Sequence, residues 1–126
     1  MIILGIESSC DETSAAIIKD GHLLSNVVLS QEIHKEFGGV VPEYASREHE
    51  AQITKVIQLS ICRAKISINN LDAIAVTYGA GLMGALLVGL NVAKGMAIAL
   101  DIPFLGVNHL EGHLFANMID NPNMIY

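Results

Sequence analysis

His109 and His113 stand four positions apart in the run His109-Leu110-Glu111-Gly112-His113, so a helix sets both imidazoles on one face, near enough to share a metal ion. Two imidazoles are an incomplete ligand set. Glu111 lies two residues from each and points elsewhere on such a helix, and the order HLEGH is not the HExxH of a zinc protease. Ordinary surface or packing histidines are the alternative, and His22, His34 and His49 offer no geometry that completes a site.

A second concentration of chemistry lies near the start. Glu7-Ser8-Ser9-Cys10-Asp11-Glu12-Thr13 combines carboxylates, hydroxyls and backbone donors at a turn between two apolar runs. Such a turn can surround phosphate oxygens if its amides point inward, while Asp11 or Glu12 orients Mg²⁺, a water or a substrate amine. An acidic hairpin tip has the same composition. Cys10 beside two serines invites a covalent reading, but no rule of spacing joins it to a histidine and an orienting acid.

Tyr78-Gly79-Ala80-Gly81-Leu82-Met83-Gly84 is the third candidate. With Gly79 and Gly81 in the loop, backbone N–H groups can face an anion at the start of the following helix. The segment lacks the Lys-Ser/Thr ending of a P-loop, and a turn that merely lets Gly84 and Gly89 pack against a sheet explains it equally well. Gly38-Gly39 and Pro42 constrain another loop, where Arg47 can pair with Glu43 or Glu50 or meet a phosphate.

These groups need a scaffold. Ile2 to Ile6, Ala15 to Ile18 and Leu23 to Leu29 read as three strands, the last two joined at Asp20-Gly21, which predicts an antiparallel meander. That order argues against a dinucleotide-binding βαβ unit, whose first strand feeds a helix directly. Ser46 is a candidate cap for a helix running to about Ala64, and Asn69-Asn70 breaks the chain before a strand from Leu71 to Tyr78. An apolar helix to Leu100 follows, ended by Asp101-Ile102-Pro103, then a strand from Phe104 to Val107 and a short helix capped by Asn108. Strands alternating with helices in the second half predict parallel pairing, hence a mixed sheet covered by helices.

Bulk properties narrow the function. Seven Lys plus Arg against thirteen Asp plus Glu give a net charge of -6, which opposes broad attraction to phosphate backbones unless a partner supplies positive field. Two isolated cysteines support neither a disulfide framework nor a cysteine-built zinc site and suit a cytoplasmic protein. Leu82 to Leu100 is long and apolar enough to raise a membrane span, but Asn91 and Lys94 interrupt it, so a buried helix and no membrane are expected.

Four segments together resemble the tRNA N6-adenosine threonylcarbamoyltransferase (TsaD, or glycoprotease) family: GIESSCDETSAAI, SQEIHKEFGGVVPEYASREH, TYGAGLMGALLVGLNVAKGMA and GVNHLEGHLFA, in that order over nearly the whole chain. The resemblance implies the α/β actin/Hsp70/sugar-kinase (ribonuclease H-like) fold. It also implies transfer of threonylcarbamoyl from its adenylate to N6 of adenosine 37 in tRNAs reading ANN codons. It makes His109 and His113 two ligands of one divalent metal ion, iron ahead of zinc, and takes a further aspartate ligand from a later segment of the family. Asp11 and Glu12 match the acidic signature near the reacting groups, Asp11 being the better candidate for catalysis, with Ser9, Gly79 and Gly81 as substrate-binding positions. ATP is consumed in the wider pathway, and TsaB, TsaE and tRNA are the implied partners.

The loop reads Gly79-Ala80-Gly81 where the family commonly has Gly-Pro-Gly, which removes a φ restriction but keeps both glycines. Residues 1–126 are expected to form the N-terminal lobe alone, without the second lobe, to bind metal weakly and to be inactive in isolation. An assembly module, a homodimer or a TsaB-like partner protein is the alternative, the two histidines favouring the transferase. An older family name, O-sialoglycoprotein endopeptidase, would need zinc-protease chemistry that HLEGH does not carry.

Overall fold

Apolar side chains alternate along the first strands and fix one face of a sheet before any helix forms. The computed structural model describes residues 1–9, 12–30 and 42–109. Cys10, Asp11, His34, the Gly38-Gly39 loop, Glu111 and His113 lie outside them.

Strands β1 (Ile2–Glu7), β2 (Glu12–Lys19) and β3 (His22–Ser30) form the expected antiparallel meander. Asp20 and Gly21 turn the chain with φ of 50° and 82°, the pair of positive values that a two-residue hairpin of matching twist requires. β4 (Ala73–Gly79) pairs parallel with β1, and β5 (Phe104–Asn108) pairs parallel with β4. The sheet order is β3-β2-β1-β4-β5, mixed as the alternation of elements predicts.

Register carries the core. Leu4 lies between Ile17 and Ile74, and Ile6 between Ala15 and Val76, so successive rows of apolar side chains emerge on one face. All six are buried and meet Ile53, Val56 and Ile57 of α1 (Pro42–Ala64) and Val88, Ala93 and Ala97 of α2 (Met83–Leu100). Each fully buried Leu, Ile or Val side chain among them contributes about 1.5–3 kcal/mol. Where α1 crosses β3, the Ser25 hydroxyl donates to the Ser60 carbonyl at 2.7 Å and the Ser60 hydroxyl to the Ile57 carbonyl at 2.9 Å. Both polar groups are thereby satisfied inside the core.

Three boundaries differ from expectation. α1 begins at Pro42 rather than after a Ser46 cap, because proline's fixed φ suits the first helical turn and its missing N–H is not needed there. Asn69-Asn70 does break the chain, but within a 3-10 turn, Ile68–Asn70, where Ser67 and Asn70 cap each other's amides. Leu71 ends that turn and is buried, so β4 starts at Ala73.

The buried reading of α2 holds for one side only. Ala85, Leu86, Val88, Gly89, Ala93 and Ala97 are buried, while Met83, Leu87 and Ile98 are exposed. By length and composition the helix could cross a membrane; here it packs on β4, β1 and α1. Asp101, left-handed at φ 55°, caps it through an N–H directed at the carbonyls of Ala97 and Ile98. Both described helices therefore cover the same face of the sheet. Its other face carries a groove of about 350 Å³ lined by Gly5, Ser14, Ala16, Ile18, Ala75 and Val107, ending at Glu7 and Thr77.

Candidate functional site

Three parallel strands end at one edge of the sheet: β1 at Glu7, β4 at Gly79 and β5 at Asn108. The carboxyl ends of parallel strands are where open α/β sheets present their ligand sites. Side-chain alternation decides what is presented. Ile6 and Val76 point to the helices, so Glu7 and Thr77, each one residue further, point to the open face on neighbouring strands. Val107 lies beside Thr77 and lines the same groove, and His109 follows two residues on, directly after β5.

The four polar groups meet. Thr77 Oγ1 donates to Glu7 Oε2 at 2.6 Å, and the Ser9 amide donates to Glu7 Oε1 at 2.6 Å. His109 Nδ1 lies 3.0 Å from Glu7 Oε2 and 3.1 Å from Ser9 Oγ. Glu7 and His109 are each 30% exposed, half-withdrawn from water but open to a ligand. Burial pushes the Glu7 carboxyl up, yet the hydrogen bonds from the Ser9, Thr77 and His109 side chains and the Ser9 amide together outweigh it and hold the group below its ordinary value. Glu7 is therefore an anion at neutral pH, and an anion only accepts.

Ser8 takes the opposite side. Its hydroxyl donates to the Ala85 carbonyl at 2.8 Å, tying the end of β1 to the first turn of α2. Gly89 makes this approach possible, since a Cβ there would sit 2.6 Å from Ser8 Oγ. Gly81 is held more tightly still: a Cβ would fall 2.5 Å from the Ser9 carbonyl oxygen and 2.7 Å from Ser9 Cβ. The Leu82 amide donates to the same carbonyl at 2.7 Å. The loop after β4 is thus pinned against Ser9, and one of the amides that an anion could have used is already engaged.

Of the residues singled out in sequence, Ser9, Gly81 and His109 converge here, with Gly79 beside Asn108 at the same edge. Glu12 begins β2 at this edge and is exposed. Asp11 and His113 lie outside the described residues. Glu7 and Thr77 were missed as site residues, Glu7 having been read only as part of an acidic turn. The available signal was a polar residue closing each of two apolar runs, Ile2 to Ile6 and Ala73 to Val76.

Among the described residues no three His, Cys, Asp or Glu side chains gather as a metal-binding set. The Glu7–His109 pair nevertheless has the chemistry of a metal ligand with its support: metal-bound histidines characteristically donate their second ring N–H to a carboxylate. The donor present fits a divalent metal as one ligand of a larger set.

Known proteins resemble this chain in both sequence and fold. The family model described as TsaD, tRNA N6-adenosine threonylcarbamoyltransferase, matches residues 22–126. Two relatives bearing that description are 56% identical over 126 residues, from Caldicellulosiruptor saccharolyticus, and 58% identical over 125 residues, from Thermosipho africanus. Each comparison covers 98% of this chain but 38% of the relative, so the chain spans well under half the length of the curated relatives it matches. Among solved structures, YeaZ from Pseudomonas aeruginosa superposes with a TM-score of 0.74 at 21% identity, over 96% of this chain and 50% of its own. RuvC of T. thermophilus, in complex with a Holliday junction substrate, superposes with a TM-score of 0.56 at 14% identity, over 90% of this chain and 68% of its own. At such identities these two speak for the fold alone, the actin/Hsp70 and ribonuclease H-like arrangement of a mixed sheet opening with a meander. More than half of the residues are shared with relatives along the whole chain, and a family model spans most of it; the chain belongs to the TsaD family of tRNA N6-adenosine threonylcarbamoyltransferases.

Proposed function

We propose that residues 1–126 supply the N-terminal lobe of an enzyme that transfers threonylcarbamoyl from threonylcarbamoyl-AMP to N6 of adenosine 37 in tRNAs reading ANN codons. The observation that carries this reading is the half-buried His109, held by Glu7 where β1, β4 and β5 end together. The reaction forms a bond from the adenosine N6 to the carbamoyl carbon and breaks the bond from that carbon to the phosphate oxygen. AMP leaves with the electron pair, and the amine loses a proton.

Asp11, two positions after Ser9 in sequence, orients the amine or accepts that proton, and Glu12 stands beside it in sequence. Ser9, Gly79 and Gly81 border the space for the adenylate. His109, with His113, holds a divalent ion, iron ahead of zinc. When bound, that ion supplies Lewis-acid polarisation of the substrate. Glu7 holds the His109 ring, and Thr77 and the Ser9 amide hold Glu7.

The net charge of -6 leaves tRNA to be gathered through the assembled enzyme rather than by this lobe's own field. A cytoplasmic setting, with TsaB and TsaE as partners, belongs to the same reading. The exposed Met83, Leu87 and Ile98 on α2 favour an assembly role alongside catalysis, with TsaB or a second copy as occupant. Size measurement with and without TsaB separates the two.

The test replaces the matching segment of the Thermosipho africanus relative with residues 1–126 and measures threonylcarbamoyl transfer to tRNA. Transfer by the graft and none by the 126-residue chain alone is expected. A folded graft that binds threonylcarbamoyl-AMP but never modifies tRNA contradicts the reading.

A further inference from the structure

We infer that Tyr78 is a base-stacking residue: its ring, laid against Gly106 at the carboxyl edge of the sheet, receives an unpaired tRNA base beside adenosine 37. The inference rests on the proposed transfer to tRNA and adds where this lobe touches the RNA and by what force.

The placement of aromatic rings is the first observation. The core cluster is built from aliphatic side chains, although aromatic rings carry large apolar areas and commonly dominate cores. The two Phe or Tyr side chains among the described residues, Tyr78 and Phe104, stand outside it, 54% and 41% exposed. Register sets them around one glycine. Phe104 pairs with Ile74 and Gly106 with Val76, so Phe104 and Gly106 share a face of β5, the last strand of the sheet.

The second observation is a bulge. The β4–β5 register shifts between Thr77 and Gly79, which leaves Tyr78 as the extra residue of β4, and bulges re-aim side chains beside functional sites. Thr77 turns to Glu7 on the open face. Tyr78 turns to Gly106, where a Cβ would fall 2.8 Å from Tyr78 Cδ1 and 3.4 Å from its Cγ. A side chain at position 106 would displace the ring. Glycine supports it from beneath and leaves more than half of the tyrosine open to a ligand.

Electrostatics selects the ligand. A net charge of -6 gives little attraction for phosphates, whereas an aromatic face stacks any base without needing positive charge. Unpaired loop bases are what proteins stack on Tyr and Phe in RNA. The position fits as well, because Tyr78 directly follows Thr77, whose hydroxyl meets the Glu7 carboxylate at the reacting edge. The competing role is to shield Gly106, as aromatic rings do for edge glycines. Leucine would serve for shielding but not for stacking.

The test measures binding of fluorescently labelled tRNA to the Thermosipho graft by anisotropy, which requires no transfer. Tyr78→Leu should weaken binding about 5–150-fold, with the slope of log affinity against log salt unchanged because no phosphate contact is lost. Tyr78→Phe should bind as the parent does. Replacing each neighbour of adenosine 37 in turn by an abasic residue should, at one of the two positions, erase the effect of Tyr78→Leu. A parent graft that binds no tRNA overturns the inference, as does a folded Tyr78→Leu graft of parental affinity. So does a Tyr78→Phe graft as weak as Tyr78→Leu, or an effect that survives both abasic tRNAs. Unchanged tRNA affinity with weakened TsaB binding makes the ring a protein contact and overturns it too. If Tyr78→Leu fails to fold, the Tyr78 ring protons of the parent graft decide: an anticodon stem-loop RNA should shift them upfield, and unmoved resonances refute the stacking. A graft that binds tRNA through Tyr78 yet transfers nothing would sink the proposed reaction and keep this contact, whereas transfer with tRNA affinity indifferent to Tyr78→Leu does the reverse.

Discussion

Gly81→Ala places a methyl group 2.5 Å from the Ser9 carbonyl oxygen, 2.7 Å from Ser9 Cβ and 3.0 Å from the Ser9 carbonyl carbon. The backbone oxygen and carbon belong to a residue fixed on both sides, by its amide to Glu7 and by its carbonyl to the Leu82 amide. Relief requires the loop to move away, and overpacking of this kind costs about 1–3 kcal/mol. Lengthening the Leu82 hydrogen bond adds about 1 kcal/mol. Reduced freedom of the unfolded chain returns about 0.4–1 kcal/mol. The net destabilisation is about 1–3.5 kcal/mol, or a fall in Tm of about 4–14 °C for a domain of this size. Gly95→Ala is the matched control, because the site is exposed on α2 and a Cβ there meets nothing within 4 Å. That substitution should stabilise by about 0.5–1 kcal/mol through helix propensity. Thermal and urea unfolding followed by circular dichroism measures both. A Gly81→Ala chain as stable as the parent would refute the close approach of the loop to Ser9, and with it the argument that this loop sets the edge of the site.

Gly89→Ala should destabilise by about 1–2 kcal/mol by turning the Ser8 hydroxyl away from the Ala85 carbonyl. Ser8→Ala in the same chain should recover most of the loss, giving a coupling of about 1 kcal/mol or more in a double-mutant cycle. Additive effects would contradict the contact. Because Glu7 has its pKa depressed on folding, it contributes stability that is present above its unfolded value and is lost as pH falls through the lower folded value. Urea midpoints measured from pH 7 down to pH 2 should therefore fall more steeply in the parent than in Glu7→Gln, and parallel curves would count against an ionised, hydrogen-bonded Glu7. In the graft, Asp11→Asn should slow threonylcarbamoyl transfer by about 10²-fold or more, the scale of a lost acid–base group. Transfer at the parent rate would remove that carboxylate from the reaction.

Much of the scaffold was legible because its causes are local. Asp20-Gly21 between two alternating runs specifies a hairpin, and the spacing of Leu4 with Ile6 and of Ala15 with Ile17 specifies the buried face. Parallel pairing of β4 and β5 followed from helices inserted between strands. Boundaries set by competing local signals were less legible. Ser46 looks like a cap, but Pro42 already starts the helix; Leu71 looks like strand, but it closes a capped turn.

The site divides in the same way. His109 stood out through its spacing to His113, and Ser9 and Gly81 through composition. Glu7 did not, because its role depends on partners 70 and 102 positions away in sequence. Only the strand order brings those ends together, and no spacing rule encodes it. The glycine loop was legible only as two equal alternatives, anion binding or packing, and the approach of Gly81 and the Leu82 amide to Ser9 depends on the strand order rather than on the pattern of glycines.

The most direct test of the account is the rate of threonylcarbamoyl transfer to tRNA by the Thermosipho graft carrying His109→Ala, set beside the unsubstituted graft. The account predicts steady transfer by the unsubstituted protein and a loss of about 10²-fold or more in the variant, with circular dichroism unchanged. Equal rates in two folded proteins would contradict it.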